Sequence, residues 1–434
     1  MYRKNRMKIC CLTAALSLSV ALSACSGRDV SADADNSPQG SFSEIQNSDL
    51  QGADGKEKPE EAPTVSPAAS PAVSGMETAS EALSLQELPA YVFCAADGRL
   101  LLLGDTITLV DSHTMEIEKR NENPEGEYSF RELLFCKMTE SEEEYLVLGQ
   151  YLQMKEVAEG LFAGDGEGRL IMVRIGKDLK VRETVDMGKR IDARRIPDNY
   201  ELIDNGTKLL YSSLEGLFLY DMQTNEKIDY LSRPTASGQA AKKTESVSIS
   251  SFGYQKQTGQ IIFSGGYSDG SHSDFLRTVG SVRSDGTQLR YEKEQTQEWG
   301  TVWCFDDFAL IEDWKLYNPG EKGNVFYLSS DGKAAVYPLA DEYTAIRPSE
   351  KGNYFAVRSK EWDADGNHAG YTVRIYASDG GTLLQEIRCP LSEIGQGTAL
   401  YENIICEDTG KVLLLTCDRE TEENVSLKAV ALKK

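Results

Sequence analysis

Histidine is scarce in this chain: three in 434 residues, His113, His272 and His368. No His-x-x-x-His pair and no Cys-x-x-Cys pair occurs, so the usual spacings of a transition-metal site are missing. Positive charge is also short. Lys and Arg number 46 against 69 Asp and Glu, a net charge of −23. A field of that sign repels phosphate, which excludes nucleic acid as a partner held by general electrostatics. It also disfavours adhesion to anionic lipid and wall polymers. Beyond the first 24 residues the apolar runs are short. No amphipathic helix of three or more turns stands out, and residues 155–162 come nearest to one.

The longer apolar run lies at the start. Arg3, Lys4, Arg6 and Lys8 precede an apolar stretch from about residue 9 to 22. That stretch is too short to span a bilayer comfortably and reads as an export signal. It closes on Leu22-Ser23-Ala24-Cys25. This order resembles the lipobox of bacterial lipoprotein leaders. The resemblance implies removal of residues 1–24 and acylation of Cys25 through a diacylglyceryl thioether. The expected partner there is the membrane, and the expected location is its extracytoplasmic face. Two acyl chains hold a protein stably where one does not. A plain secretory signal with an incidental Cys is the alternative. Loss of the four basic residues takes the net charge from −23 to −27.

Residues 25–80 are mostly Ser, Ala, Pro, Gly, Asp and Glu. Phe42, Ile45 and Leu50 show no period, so this segment buries too little to offset its ordering entropy. It reads as a disordered linker of roughly 40–45 Å if it behaves as a random coil. Residues 81–434 remain as a folded head. That exceeds the common single-domain size, but closed all-β folds often run so long.

Within the head the pattern is strand, turn, strand. Runs rich in Val, Ile, Leu, Tyr and Phe alternate with turn signals. One unit recurs: an apolar strand, a tight polar turn, then a second short strand. It appears at 107–114, 170–178, 217–225, 279–286, 325–332 and 373–380. The last three copies carry Ser-Asp-Gly, whose Asp and Gly tolerate positive φ and suit a hairpin turn. A lone strand at 425–432 ends the chain. Spacing of roughly 45 to 65 residues points to propeller blades of several strands each. Six hairpins and a lone strand predict a single all-β propeller of seven blades, with about four antiparallel strands per blade. The final blade lacks an outer strand, which residues 81–88 are placed to supply. The head resembles bacterial lipoproteins with TolB-like, WD40-like or PQQ-like propellers. Asp111-Ser-His-Thr114 and Asp221-Met-Gln-Thr224 are similar to the Asp-x-x-Thr turn of PQQ-like repeats, but the following Gly and Trp are missing, which argues against a quinone cofactor.

Few motifs carry chemistry. Gly266-Tyr-Ser268-Asp-Gly270 matches a nucleophile elbow, with His272 close in sequence. That motif works on a strand-to-helix turn, whereas the residues after it read as a polar loop. Asp363-Ala-Asp365-Gly-Asn367 resembles the start of a calcium loop. Position six of that loop holds His368 and position twelve holds Arg374, where Gly and Glu belong. Asp363, Asp365 and Asn367 are therefore the candidate metal ligands, with a solvated acidic turn as the competing reading. The acidic run at 140–144 reads as a solvated loop. Six cysteines follow Cys25, mostly in apolar strand patterns, where a free thiol serves as a small hydrophobe. Export permits disulfides, and ring closure should bring Cys94 towards Cys406 or Cys417. Trp303 reads as core, while Trp314 and Trp362 lie nearer to loops and suit binding.

No catalytic residue and no organic cofactor is expected. The first reading is a non-enzymatic binding or scaffold module for a protein, peptide or glycan. An extracytoplasmic glycan-active hydrolase or lyase is the alternative, and a structural role beside a membrane complex is a third. Clustered perturbed carboxylates would favour an enzyme; an exposed aromatic patch would favour a binder.

Overall fold

Seven sheets of antiparallel strands follow one another along the chain and form a seven-bladed propeller in this computed structural model. The structure describes residues 73–75, 81–152, 154–158, 161–164, 168–191, 197, 199–213, 216–232, 246–268, 276–283, 290–291, 299–313, 323–331, 333–339 and 345–433. Blade 1 holds Tyr91–Cys94, Arg99–Leu103, Ile107–Asp111 and Glu116–Asn121. Blade 2 holds Leu133–Glu140, Glu144–Tyr151, Arg169–Gly176 and Val181–Asp186. Blade 3 runs from Asn199–Ile203 through Lys208–Ser213 and Gly216–Asp221 to Glu226–Ser232. Blade 4 contains Ser246–Gln255, Gln260–Ser268, Leu276–Arg283 and Arg290–Tyr291. Blade 5 contains Trp299–Cys304, Phe308–Asp313, Asn324–Ser329 and Ala334–Pro338. Blade 6 has Ala345–Pro348, Tyr354–Trp362, His368–Ala377 and Leu383–Pro390. Blade 7 has Thr398–Cys406, Lys411–Asp418 and Ser426–Ala431, and its outer strand comes from Glu81–Ser84.

That last pairing is antiparallel, with Glu81 opposite Ala429 and Ser84 opposite Ser426. The recurring unit of the sequence contains the third strand of blades 1 to 6. The lone 425–432 strand is the third strand of blade 7, and the N-terminal segment closes that blade as its composition requires.

Burial explains why the strands read as nearly continuous apolar runs. Successive side chains on a strand face opposite sides of the sheet. In a propeller both sides pack on a neighbouring blade. Leu101 and Leu103 join the cluster between blades 1 and 2. Leu100 and Leu102 join the one between blades 7 and 1. Among the described residues there are seven such clusters, one per blade interface. The cluster between blades 7 and 1 joins residues from the two ends of the chain, including Leu88, Leu100, Leu413 and Leu427.

The turns of blades 1 and 3 are held by their Asp side chains. Asp111 Oδ1 accepts the His113 N–H at 2.7 Å, and Asp221 Oδ1 accepts the N–H groups of Gln223 and Thr224 at 2.8 and 3.0 Å. Positive φ falls on Met115 and Asn225. In each turn the Asp carboxylate satisfies donors that no strand partner reaches. In blade 6 the Gly residues behave as expected: Gly380 and Gly381 have φ of 87° and 62°.

The described residues of 155–162 are not helical. Those residues belong to two short strands, Met154–Ala158 and Leu161–Gly164, which pair with each other in a sheet of their own. The described α-helices are single turns, Met187–Arg190 and Leu391–Ile394. Among the described residues no helix is long and apolar enough to cross a membrane. β-structure also begins before residue 81: Val73–Gly75 pairs in parallel with Leu383–Pro390 as a fifth strand on blade 6. The leader, Cys25 and the rest of the linker lie outside the described residues.

Candidate functional site

Trp362 ends the second strand of blade 6, where a register shift at Glu361 and Trp362 pairs it with His368. Its side chain is 61% exposed, the highest value among the large hydrophobic residues that stand out from the core. The Trp362 and His368 rings meet edge-on at 5.8 Å between centroids, and His368 meets Tyr371 edge-on at 4.7 Å. Tyr371 is itself buried in the cluster between blades 6 and 7. Arg419, just past the second strand of blade 7, reaches across. Its Nη2 lies 3.1 Å from His368 Nδ1 and donates to the Tyr371 hydroxyl at 3.3 Å.

This contact assigns the tautomer. Arginine only donates, so Nδ1 accepts and the ring proton sits on Nε2. Nε2 is shielded and has no hydrogen-bond partner among the described residues. Burial and then the Arg419 charge hold the imidazole below its ordinary pKa, so it stays neutral. The group thus offers an aromatic face at Trp362, braced from beneath by a neutral imidazole that a cation from the next blade holds in place.

The turn between Trp362 and His368 holds the three candidate metal ligands. Asp363 Oδ1 accepts the N–H groups of Asp365 and Asn367 at 3.0 and 2.8 Å. Its Oδ2 accepts from the Asn367 side-chain amide at 3.2 Å. These donors, the backbone N–H of Asn367 first, draw the Asp363 carboxyl below its ordinary value. The carboxylate faces N–H groups of its own turn, an arrangement that satisfies a hairpin tip without an ion. Among the described residues no group of three His, Cys, Asp or Glu is placed to hold a metal.

A second candidate lies along the first strands, which face the propeller axis. Lys137 of blade 2 donates to Asn199 Oδ1 of blade 3 at 3.1 Å and sits 5.9 Å from the Phe252 ring centre. Its side chain meets solvent yet is crowded by protein, and the lost hydration lowers its pKa against the pull of Glu201. Burial raises Glu201, while Lys137 and the Tyr254 backbone oppose the rise. Cys304 of blade 5 shares this surrounding, and burial pushes its thiol well up. Sequence reasoning named neither Lys137 nor Glu201. No local pattern marks them, because their surroundings come from several blades.

Acidic side chains also gather where the turns of blades 6 and 7 meet. Glu407 accepts from Ser349 Oγ, from the Asn353 N–H at 3.1 Å and from Asn353 Nδ2 at 2.6 Å. Asp408 pairs with Lys351. Glu350 Oε1 accepts the Glu407 N–H at 2.9 Å, and burial raises its pKa, with Glu407 and Asp408 adding to the rise. These carboxylates are engaged in clamping two turns together.

Ser268 is the last residue of its strand. Its side chain, His272 and Trp314 lie outside the described residues. Trp303 packs between blades 5 and 6, as a core residue should. All six described cysteines are free thiols, and Cys94 and Cys406 lie with their sulfurs 3.8 Å apart. Arg419 escaped the sequence reading because 51 residues separate it from His368.

No protein-family model matches the chain, and no curated protein matches it. Among solved structures the chain is similar to Kuenenia stuttgartiensis hydrazine synthase, over 80% of this chain and 96% of that one, at 12% identity and a TM-score of 0.44. That likeness carries no argument about activity.

Proposed function

We propose that this protein is a lipid-anchored extracytoplasmic lipoprotein of the TolB-like, WD40-like or PQQ-like kind, and that its propeller is a non-enzymatic binding module for a protein, peptide or glycan. The leader ending at Cys25 supports the anchor. The observation that carries the binding reading is the exposed Trp362 braced by His368, Tyr371 and Arg419. An exposed indole is an apolar face that stacks on a sugar ring or a side chain, and such a contact is worth about 1 kcal/mol beyond burial. The bracing limits the ordering cost of that ring on binding.

The test probes arrays of cell-wall glycans and peptides with the head and with Trp362→Ala. Binding that falls about tenfold in the variant supports the reading. Binding that is unchanged overturns this site. Cys25→Ala should move the protein from the membrane to the soluble fraction, and retention at the membrane would refute the anchor.

One observation favours a second reading, a glycan-active hydrolase or lyase. Burial raises Glu201 and lowers Lys137, and a carboxyl and an amine shifted in these directions are the kind of groups that supply an acid and a base. Turnover of a glycan by the head, abolished in Glu201→Gln, would select this reading over the first.

A further inference from the structure

The joint between blades 7 and 1 is where the ring closes, and it holds two cysteines. Cys94 is the last residue of the first strand of blade 1, and Cys406 is the last residue of the first strand of blade 7. Their sulfurs lie 3.8 Å apart across 312 residues of chain. Both belong to the apolar cluster that joins the two blades. Cys417 is in the same cluster, yet among the described residues its sulfur makes no contact with Cys94. The other described thiols, Cys136, Cys304 and Cys389, sit on blades 2, 5 and 6.

We infer that Cys94 and Cys406 are a disulfide site that covalently closes the propeller. The two sulfurs need only a small approach to reach bonding distance, within what side-chain rotation supplies. The reaction is thiol–disulfide exchange with a low-molecular-weight or protein disulfide as oxidant. The two cysteine thiols give up two protons and two electrons and form one S–S bond. The oxidant's S–S bond breaks, and its two sulfurs leave as two thiols. An exported protein meets such oxidants, so in the cell the inference rests on the export reading; the geometry does not.

The timing follows from the surroundings. The neighbouring Cys406 thiol, burial, and the nearby Glu350 and Asp408 all disfavour a Cys94 thiolate in the closed ring. Exchange is therefore faster while the ring is still closing and both thiols are open to solvent. Once formed, the bond links residues of high sequence separation, the case in which a cross-link restricts the unfolded chain most. It spans the interface that joins the two ends of the propeller.

The experiment refolds the reduced, denatured protein in a mixture of reduced and oxidised glutathione, then maps thiols and disulfides by mass spectrometry. The expected result is a Cys94–Cys406 linked peptide as the main cross-link, with Cys136, Cys304, Cys389 and Cys417 free. Its reduction should lower the melting midpoint by about 5 °C. The double variant Cys94→Ala, Cys406→Ala should melt like the reduced protein and show no response to reductant. Free Cys94 and Cys406 after oxidative refolding, or a different main pairing, would overturn the inference. The mapping of the unmutated protein needs no variant to fold. Because glutathione is supplied in the tube, failure here is distinct from failure of the export reading, which Cys25→Ala reports.

Discussion

Lys411 Nζ donates to Glu81 Oε2 at 2.6 Å, a contact between residues 330 apart in the chain. The same nitrogen donates to the His113 carbonyl at 2.8 Å. One side chain on blade 7 thus holds both the strand that completes that blade and the next blade in the ring. Lys411 is well shielded, while Glu81 is partly open. Lys411→Ala should cost about 1 kcal/mol, most of it from the carbonyl and carboxylate left without a donor. Glu81→Gln should cost less than about 0.5 kcal/mol, since an amide oxygen still accepts. Urea unfolding of the two variants separates these values, and equal losses would mean that Lys411 acts only through Glu81.

Removal of the closing strand tests the ring itself. A chain starting at residue 81 keeps Glu81–Ser84, whereas one starting at 86 loses it together with Leu83 and Leu85, which pack on the joint between blades 7 and 1. The shorter chain should be less stable by about 3 kcal/mol or more and should aggregate through the exposed Ser426–Ala431 edge. Of the described elements, the chain starting at 81 loses the three-residue Val73–Gly75 strand, and it should melt within a few degrees of the intact head. Identical melting of both truncations would show that the ring closes without this strand.

Two glycines with the same backbone angle separate strain from crowding. Gly352 and Gly366 both have φ of +79°. A Cβ on Gly352 would lie 2.3 Å from the Phe305 ring, but one on Gly366 meets nothing within 4 Å. Gly366→Ala should therefore cost about 1 kcal/mol from the left-handed backbone alone. Gly352→Ala should cost roughly 2–4 kcal/mol, because the Phe305 ring must shift within the interface of blades 5 and 6. Chemical denaturation gives both numbers, and equal costs would mean that Phe305 moves aside freely.

His368 should make stability depend on pH in one direction. Its pKa in the folded protein lies below the ordinary value of about 6.5. The unfolded chain therefore binds the proton more readily, and acid favours unfolding. The contribution is complete above about pH 7 and is lost as pH falls through the folded value. Arg419 and Lys360 are the cations that oppose protonation there. The site is partly open to water, so the loss should be only a few tenths of a kcal/mol. His368→Gln should flatten the stability profile between about pH 7 and pH 5. An unchanged slope in that variant would place the dependence elsewhere. Nuclear magnetic resonance titration of the ring protons reads the shift directly.

The blades were legible because their physics is local. Runs such as Leu100 to Leu103 are apolar at every position because each face of the strand meets another blade, and polar turns such as Asp111-Ser-His-Thr114 interrupt them at hairpin spacing. Counting those units implied seven blades and a missing outer strand, and Glu81–Ser84 fills that place. Residues 155–162 misled because a short apolar pattern does not distinguish a helical turn from a small hairpin. The brace beneath Trp362 was not legible. Its exposed ring could be suspected from a loop position, but Arg419 comes from another blade, and so does the Asn199 side chain that holds Lys137. Side-chain alternation and turn chemistry are properties of a few consecutive residues, so the sequence by itself determined that strands form, how many blades they make and that the ends must join. Which side chains meet across a blade interface depends on blade twist and strand register summed over the whole ring. Only the tertiary structure therefore decided that Cys94 faces Cys406, that Arg419 reaches His368, and that the Asp363 carboxylate turns towards its own loop.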